Sequence, residues 1–328
     1  MKSRLLSMLL SFAVLFSSGC ARPKEPLTIT DFFFDTVIRI LLYDTEDPSV
    51  LKEAMEICQE YENKFSRTIE TSEISRINNS KGSAVTVSDE TIELLKKGIY
   101  YSEISNGAFD ITIAPVSSLW NFKENTGTVP SENEIQETRS HVNYKNILIE
   151  GNTVTLTDPE MAIDLGSIAK GYIADQLKKF FISKGIDHGI IDLGGNVLTI
   201  GNKPDGSNFH VGIQKPFDER NETIASLSVN DKSVVSSGIY ERYFKINDKI
   251  YHHILDPSTG YPYENNLLSV TILSDSSVDG DALSTTCFSL GLSKGMELIN
   301  KTKNAEAIFI TKDYELHYSK KIEDIIVK

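Results

Sequence analysis

Along most of the chain the apolar residues alternate between a two-residue and a helical period, and caps and turn residues mark where one gives way to the other. Residues 28–42, rich in Phe, Ile and Val, read as β structure. Asp47-Pro48 then supplies an N-cap and a first-turn proline for a helix to about Lys64. Ser88 caps a second helix reaching Ser105, closed by Asn106-Gly107, and Ser131-Glu132-Asn133-Glu134 is a capping box that opens a short third. Residues 147–157 read as a hairpin around Gly151-Asn152. A helix over 167–184 follows, then strands at 189–200, 209–213, 224–229, 234–236 and 243–254. The last third adds a strand at 268–273, helices at 279–290 and 293–302, and strands near Ala307 and Tyr314. Hairpins outnumber strand-helix-strand alternations, so the expected class is α+β rather than a doubly wound parallel sheet. No repeat, low-complexity tract or Pro/Ser-rich linker follows residue 30, and residues 28–328 are expected to form one compact unit.

The first 27 residues carry a different pattern. Lys2 and Arg4 precede an apolar run, 5–16, that is too short to span a bilayer but suits the hydrophobic stretch of a secretory signal. It ends in Phe16-Ser17-Ser18-Gly19-Cys20, small residues before a cysteine that resemble the lipobox of bacterial lipoproteins. Ser17 departs from the aliphatic residue usual three before the cysteine, which leaves an ordinary signal-peptidase site as the alternative. The expectation is a signal peptide over 1–19, acylation at Cys20, a tether over 20–27, and an extracytoplasmic domain anchored by lipid to the bacterial cell membrane.

Composition narrows the partners. With 33 Lys and Arg against 46 Asp and Glu the net charge is −13, and losing Lys2 and Arg4 takes it to −15, so a nucleic-acid partner is not expected. Cys58 and Cys287 make no disulfide framework and read as thiols packed in helices.

Four segments could carry chemistry. If 281–290 is helical, Asp281 and Thr285 stand four residues apart on one face, and a carboxylate and a hydroxyl can reach one hard cation. Helix capping by Asp279 or Asp281 explains the same residues and is the commoner use of such acids. In Ile163-Asp164-Leu165-Gly166-Ser167-Ile168-Ala169-Lys170-Gly171-Tyr172, a strand delivers Asp164, Gly166 permits a turn, and Ser167 opens a helix whose N–H groups can meet an anion, with Lys170 one turn in. An ordinary capped helix with a surface lysine is the alternative. Gly194-Gly195 allows close approach to a ligand or, as the preferred reading, a bulge. His253, at a strand end before Asp256-Pro257-Ser258-Thr259-Gly260, suits a general base or a structural role.

Taken in order, these blocks are more specific than any one of them. Together with Phe34-Asp35-Thr36, Phe65-Ser66-Arg67, Ser72 to Asn78, Gly107-Ala108-Phe109-Asp110-Ile111-Thr112, Ser236-Ser237-Gly238 and Glu241-Arg242-Tyr243, they resemble the ApbE family of FAD:protein FMN transferases over about residues 28–315. The resemblance implies an ApbE-like, T-fold-like α+β unit of mixed sheets with packed helices. It implies Mg2+ on the FAD diphosphate, held by the Ser167 carbonyl, Asp281 and Thr285. Asp164 and Lys170 would contact the nucleotide, Phe34, Thr68 and Ala108, Phe109 and Asp110 would line its pocket, and His253 with Ile254 would lie near the flavin. The reaction implied joins FMN to a threonine of an exported redox flavoprotein bearing a Ser/Thr-Gly-Ala-Ser/Thr-type segment, and releases AMP. His253 would be its base. Two departures stand out: Phe34-Asp35-Thr36 replaces a common Met-Gly-Thr, and Thr68 occupies a position where many members carry an aromatic residue. A Mg2+-dependent FAD diphosphatase and a non-enzymatic flavin-binding lipoprotein remain as alternatives.

Overall fold

In the computed structural model, residues 25–122, 124, 127–219, 222–320, 322 and 325–327 are described. The leader, the tether residues 20–24 and Cys20 lie outside them. In chain order the elements are β1 (Leu27–Phe33), β2 (Thr36–Leu42), α1 (Pro48–Phe65), α2 (Glu73–Asn78), β3 (Val85–Thr86), α3 (Asp89–Ile104), α4 (Ala114–Trp120), α5 (Glu132–Arg139), β4 (Ile147–Glu150), β5 (Thr153–Leu156) and α6 (Ala169–Ser183). The second half holds β6 (Gly189–Leu193), β7 (Asn196–Ile200), β8 (Phe209–Gln214), β9 (Thr223–Val229), β10 (Ser233–Gly238), β11 (Tyr243–Ile246), β12 (Lys249–His252), β13 (Leu267–Ser274), α7 (Ser277–Lys301), β14 (Ala305–Thr311), β15 (Leu316–Tyr318) and β16 (Ile326–Val327).

The fold is α+β. Eight strands form an antiparallel sheet in the order β1-β2-β6-β7-β10-β13-β14-β15, and α6 and α7 pack on it and on each other. β13 is buried along its whole length, as a central strand covered on both faces must be. Three small sheets, β3-β5-β4, β16-β9-β8 and β11-β12, flank this frame. The main core fills the space between sheet and helices, and a smaller one gathers Val116, Trp120, Phe122, Ile135, Phe244 and Leu255 under the β11-β12 hairpin. Cys58 and Cys287 are buried thiols on α1 and α7, as expected.

Several boundaries differ from the sequence reading, mostly through turn chemistry. Residues 28–42 are two strands, because Phe34 (φ 54°) and Asp35 (φ 58°) form a tight turn in the left-handed region without any glycine. Residues 243–254 split in the same way at Asn247 (φ 47°) and Asp248 (φ 65°). Gly194 (φ 66°) and Gly195 (φ 91°) make a hairpin turn between β6 and β7, not a bulge. Tyr314 sits at a turn (φ 61°), and the strand assigned there begins at Leu316. The short helices α2 and α4 were not anticipated, and Gly291 (φ 75°) kinks α7 where two helices were expected.

Candidate active site

α7 starts where α6 holds it. Ser276 is the N-cap of α7, its hydroxyl accepting from the Asp279 N–H (3.3 Å), so neither Asp279 nor Asp281 caps the helix. The Asp175 carboxylate on α6 accepts from the N–H groups of Ser277 (2.9 Å) and Val278 (3.0 Å) and from the Ser276 hydroxyl (3.2 Å). A negative charge on these otherwise unpaired first-turn donors locks the two helices together. Asp279 is bound by Lys97 (2.8 Å) and Tyr101 (2.7 Å), which leaves Asp281 as the inward acid.

Gly171 makes the approach possible. A Cβ there would lie 2.2 Å from the Ser277 carbonyl oxygen and 2.7 Å from the Val278 Cα, backbone atoms that cannot rotate away. The Gly171→Ala protein should therefore lose about 3 kcal/mol or more, and melt roughly 5–10 °C lower. Gly98→Ala is the control, since the atoms nearest its new Cβ belong to the Ile111 and Ile168 side chains rather than to backbone, and it should cost clearly less in the same thermal scan.

The same glycine frees an acceptor. Its N–H donates to Asp281 Oδ2 (2.9 Å) rather than to the Ser167 carbonyl one helical turn back, and among the described residues that carbonyl has no donor. Ser167 does not open the helix either: it lies in the turn before Ile168, the N-cap of α6. The Asp281 side chain is 6% exposed, with Oδ1 3.7 Å from Lys170 Nζ. Burial pushes its carboxyl above the ordinary value, against the pull of Lys170 and the Gly171 N–H. Thr285, half-buried, shares a hydrogen bond with Ser237 of β10 (3.0 Å), which also contacts Ser284 (2.7 Å). A carboxylate, a hydroxyl and an unclaimed carbonyl are the hard oxygen donors that Mg2+ accepts, and they fit such an ion. Among the described residues no group of three or more His, Cys, Asp or Glu forms a further candidate centre.

β10 leads from Ser237 to Arg242, whose carbonyl accepts from the His253 backbone N–H (3.1 Å) and faces His253 Nδ1 at 3.2 Å. A carbonyl partner places the ring hydrogen on Nδ1 and leaves the lone pair on Nε2. Loss of solvation, then the charges of His252, Arg242 and Lys170, hold the imidazole down to about 3, so it is neutral. Lys170 thus acts on both Asp281 and His253, and its ammonium also donates to the Gly166 carbonyl (3.2 Å). Ile254, the next residue, is buried in the core.

The remaining expected residues fall in two groups. Asp164 joins the site: Oδ1 accepts from Gly166 N–H (2.8 Å) and Oδ2 lies 3.4 Å from Arg67 Nε. The Phe34 turn, held by Glu62 (2.7 Å to the Phe34 N–H), lies beside the Gly194-Gly195 turn, because β2 pairs with β6 and Thr36 packs where a Gly194 Cβ would be. Asp110 spends its carboxylate within the chain, accepting from Thr112 N–H (2.8 Å), Thr112 Oγ1 (2.7 Å) and Tyr144 N–H (3.0 Å). Phe109 is a core residue 3% exposed, and the Ala108 carbonyl accepts from the Tyr263 hydroxyl (2.7 Å). Thr68 is exposed and folds back on Ser66, with the two hydroxyl oxygens 3.0 Å apart. Gly171, Asp175 and Ser237 were given no role from the sequence; Gly171, in the run from Asp164 to Tyr172, and Ser237, in Ser236-Ser237-Gly238, each lie in a motif, whereas Asp175 carries no such signal. A cavity of about 400 Å³ between α3 and α6 is lined by Lys97, Tyr172 and Asp175 and by none of Asp281, Thr285 or His253.

Both the sequence and the fold are shared with known proteins. The sequence model described as the ApbE family matches residues 34–309. The chain belongs to the ApbE family. It is 35% identical over 282 residues to the FAD:protein FMN transferase of Klebsiella pneumoniae (strain 342), covering 85% of this chain and 87% of that protein. With the FAD:protein FMN transferase of Treponema pallidum (strain Nichols) it shares 31% identity over 326 residues, 93% and 90% of the two chains. The crystal structure of the ApbE protein of Thermotoga maritima superposes with a TM-score of 0.85 at 31% identity, over 93% of this chain and all of that one. The flavin transferase ApbE of Vibrio cholerae does so at 0.83 and 26%, over 92% of this chain and all of that one.

Proposed function

We propose that this chain is an FAD:protein FMN transferase that moves FMN from FAD to a threonine hydroxyl of a partner protein and releases AMP. The observation that carries the reading is the oxygen cluster created when Gly171 gives its N–H to Asp281: a free Ser167 carbonyl beside a buried carboxylate and the Thr285 hydroxyl. Asp281, Thr285 and the Ser167 carbonyl would hold Mg2+. When bound, that ion would neutralise charge on the diphosphate and polarise its P–O bonds, which makes the phosphorus more electrophilic.

The chain's own groups supply the rest. Lys170 and the Asp164 turn orient the nucleotide, and Ser237 holds the Thr285 hydroxyl in place. His253 Nε2, unprotonated because Nδ1–H is directed at the Arg242 carbonyl, accepts the threonine proton as the oxygen attacks the FMN-side phosphorus. The bond from that phosphorus to the bridging oxygen breaks, and AMP leaves with the electron pair. Incubation with FAD, Mg2+ and an exported protein bearing a Ser/Thr-Gly-Ala-Ser/Thr-type segment tests the reaction, read as covalent flavin on the acceptor.

The leader supports an extracytoplasmic placement with acylation at Cys20. Among the described residues no helix is long and apolar enough to cross a membrane. A diacylated and N-acylated cysteine anchors firmly where one chain does not. Cys20→Ala should release the domain from membranes or trap the unprocessed precursor; detergent partitioning and leader processing identical to wild type would contradict this placement.

A further inference from the structure

Arg67 has a role that neither the metal cluster nor the base absorbs. It lies in the loop between α1 and α2 with its side chain 36% exposed, and three contacts fix its guanidinium. Nε sits 3.4 Å from Asp164 Oδ2, and Nη1 donates to the hydroxyls of Ser117 (3.2 Å) and Ser118 (3.0 Å) on α4. Among the described residues Nη2 donates no hydrogen bond.

None of these contacts is needed to hold the elements they join. The Asp164 N–H donates to the Ile111 carbonyl (2.8 Å), and the side-chain amide of Asn78 brackets Ile163 from both sides (2.7 and 2.9 Å). The loop before α2 is closed by Ser72 and Ser75, whose hydroxyls both donate to the Ser66 carbonyl. The start of α4 is tied to the Asp164 segment by the Ile113–Ala162 bridge. A guanidinium held in one orientation by a carboxylate and two hydroxyls, with a donor to spare, is preorganised for an anion. It contacts Asp164 of the Asp164-Gly166 turn, and Lys170 contacts the Gly166 carbonyl of the same turn, in a chain of net charge −13.

We propose that Arg67 binds the adenylate half of FAD, donating from Nη2 to the AMP-side phosphate. This rests on the transferase reading, in which Asp281 and Thr285 serve the metal and His253 the acceptor, so that the Asp164 turn is left to the leaving nucleotide. As the bond to the FMN phosphorus breaks, charge gathers on that phosphate, and a fixed guanidinium stabilises it without reorganising.

Calorimetric binding of AMP, adenosine and FMN in Mg2+ buffer, with a thermal scan of each variant, tests this. Arg67→Ala should weaken AMP about 10- to 100-fold and leave adenosine and FMN within about twofold, with the melting point nearly unchanged. Arg67→Lys should recover part of the loss, since it keeps the charge but not the fork. Equal weakening of AMP and adenosine would place the guanidinium on the base and overturn the phosphate contact. Unchanged AMP affinity, or a fall in AMP, FMN and melting point together, would reduce Arg67 to a structural clamp and overturn the proposal. A wild-type protein that binds neither nucleotide nor FAD would instead overturn the transferase reading itself.

Discussion

Asp281→Asn should cost about 1000-fold or more in FAD turnover while leaving the melting point within a few degrees of wild type. The amide keeps an oxygen for the Gly171 N–H (2.9 Å in the wild type), so the helix start loses no hydrogen bond. It loses the charge, and with it the carboxylate donor that accompanies the Ser167 carbonyl and the Thr285 hydroxyl. Lys170, whose side chain is 25% exposed, can hydrate once its partner is neutral, which is why the fold should tolerate the change. Turnover is measured as AMP release across a Mg2+ series, and the variant should need far more Mg2+ to reach any rate. Wild-type turnover at low Mg2+ would remove Asp281 from the centre.

His253→Gln should lower FMN transfer on the order of 10²- to 10⁴-fold and leave FAD binding close to wild type, because the imidazole is asked to move a proton rather than to hold the nucleotide. The histidine also makes a pH prediction of definite sign. Its folded value, about 3, lies below the ordinary 6.5, so the unfolded chain takes up the proton first. Its contribution is therefore fully present above about pH 6.5 and shrinks as the pH falls toward 3. Between pH 7 and 4 the melting point of the wild type should drop more steeply than that of His253→Gln. Parallel curves would show that the ring is not held neutral by the fold. His252, lowered to about 4 by burial, acts in the same direction in both proteins and cancels in the comparison.

The local signals that sequence carries well are the ones this fold honours. Asp47 caps α1, Ser88 caps α3, and Ser131 with Glu134 makes a complete capping box on α5. Each is an interaction over two or three residues, set by residue type alone. The errors arise where distant parts of the chain decide. Phe34-Asp35 and Asn247-Asp248 turn without glycine because strand pairing on either side holds them, and no dipeptide rule marks an aromatic residue at positive φ. At the site, the spacing of Asp281 and Thr285 was legible because it is one helical turn. Their surroundings were not: Asp175 capping α7 and Gly171 donating to Asp281 join residues 102 or more positions apart. Asp281 as a helix cap is excluded by Ser276 and Asp175, which take the helix start between them.

The central claim is that the Asp281 cluster and His253 serve transfer to a protein hydroxyl. The most direct measurement mixes the protein with FAD, Mg2+ and an exported acceptor carrying a Ser/Thr-Gly-Ala-Ser/Thr-type segment, then follows AMP release and the intact mass of the acceptor together. The account predicts an added FMN phosphoester on the acceptor threonine, with AMP formed in equal amount and only slowly when the acceptor is left out. AMP released at the same rate with and without acceptor, and no gain in acceptor mass, would contradict it and identify water as the nucleophile.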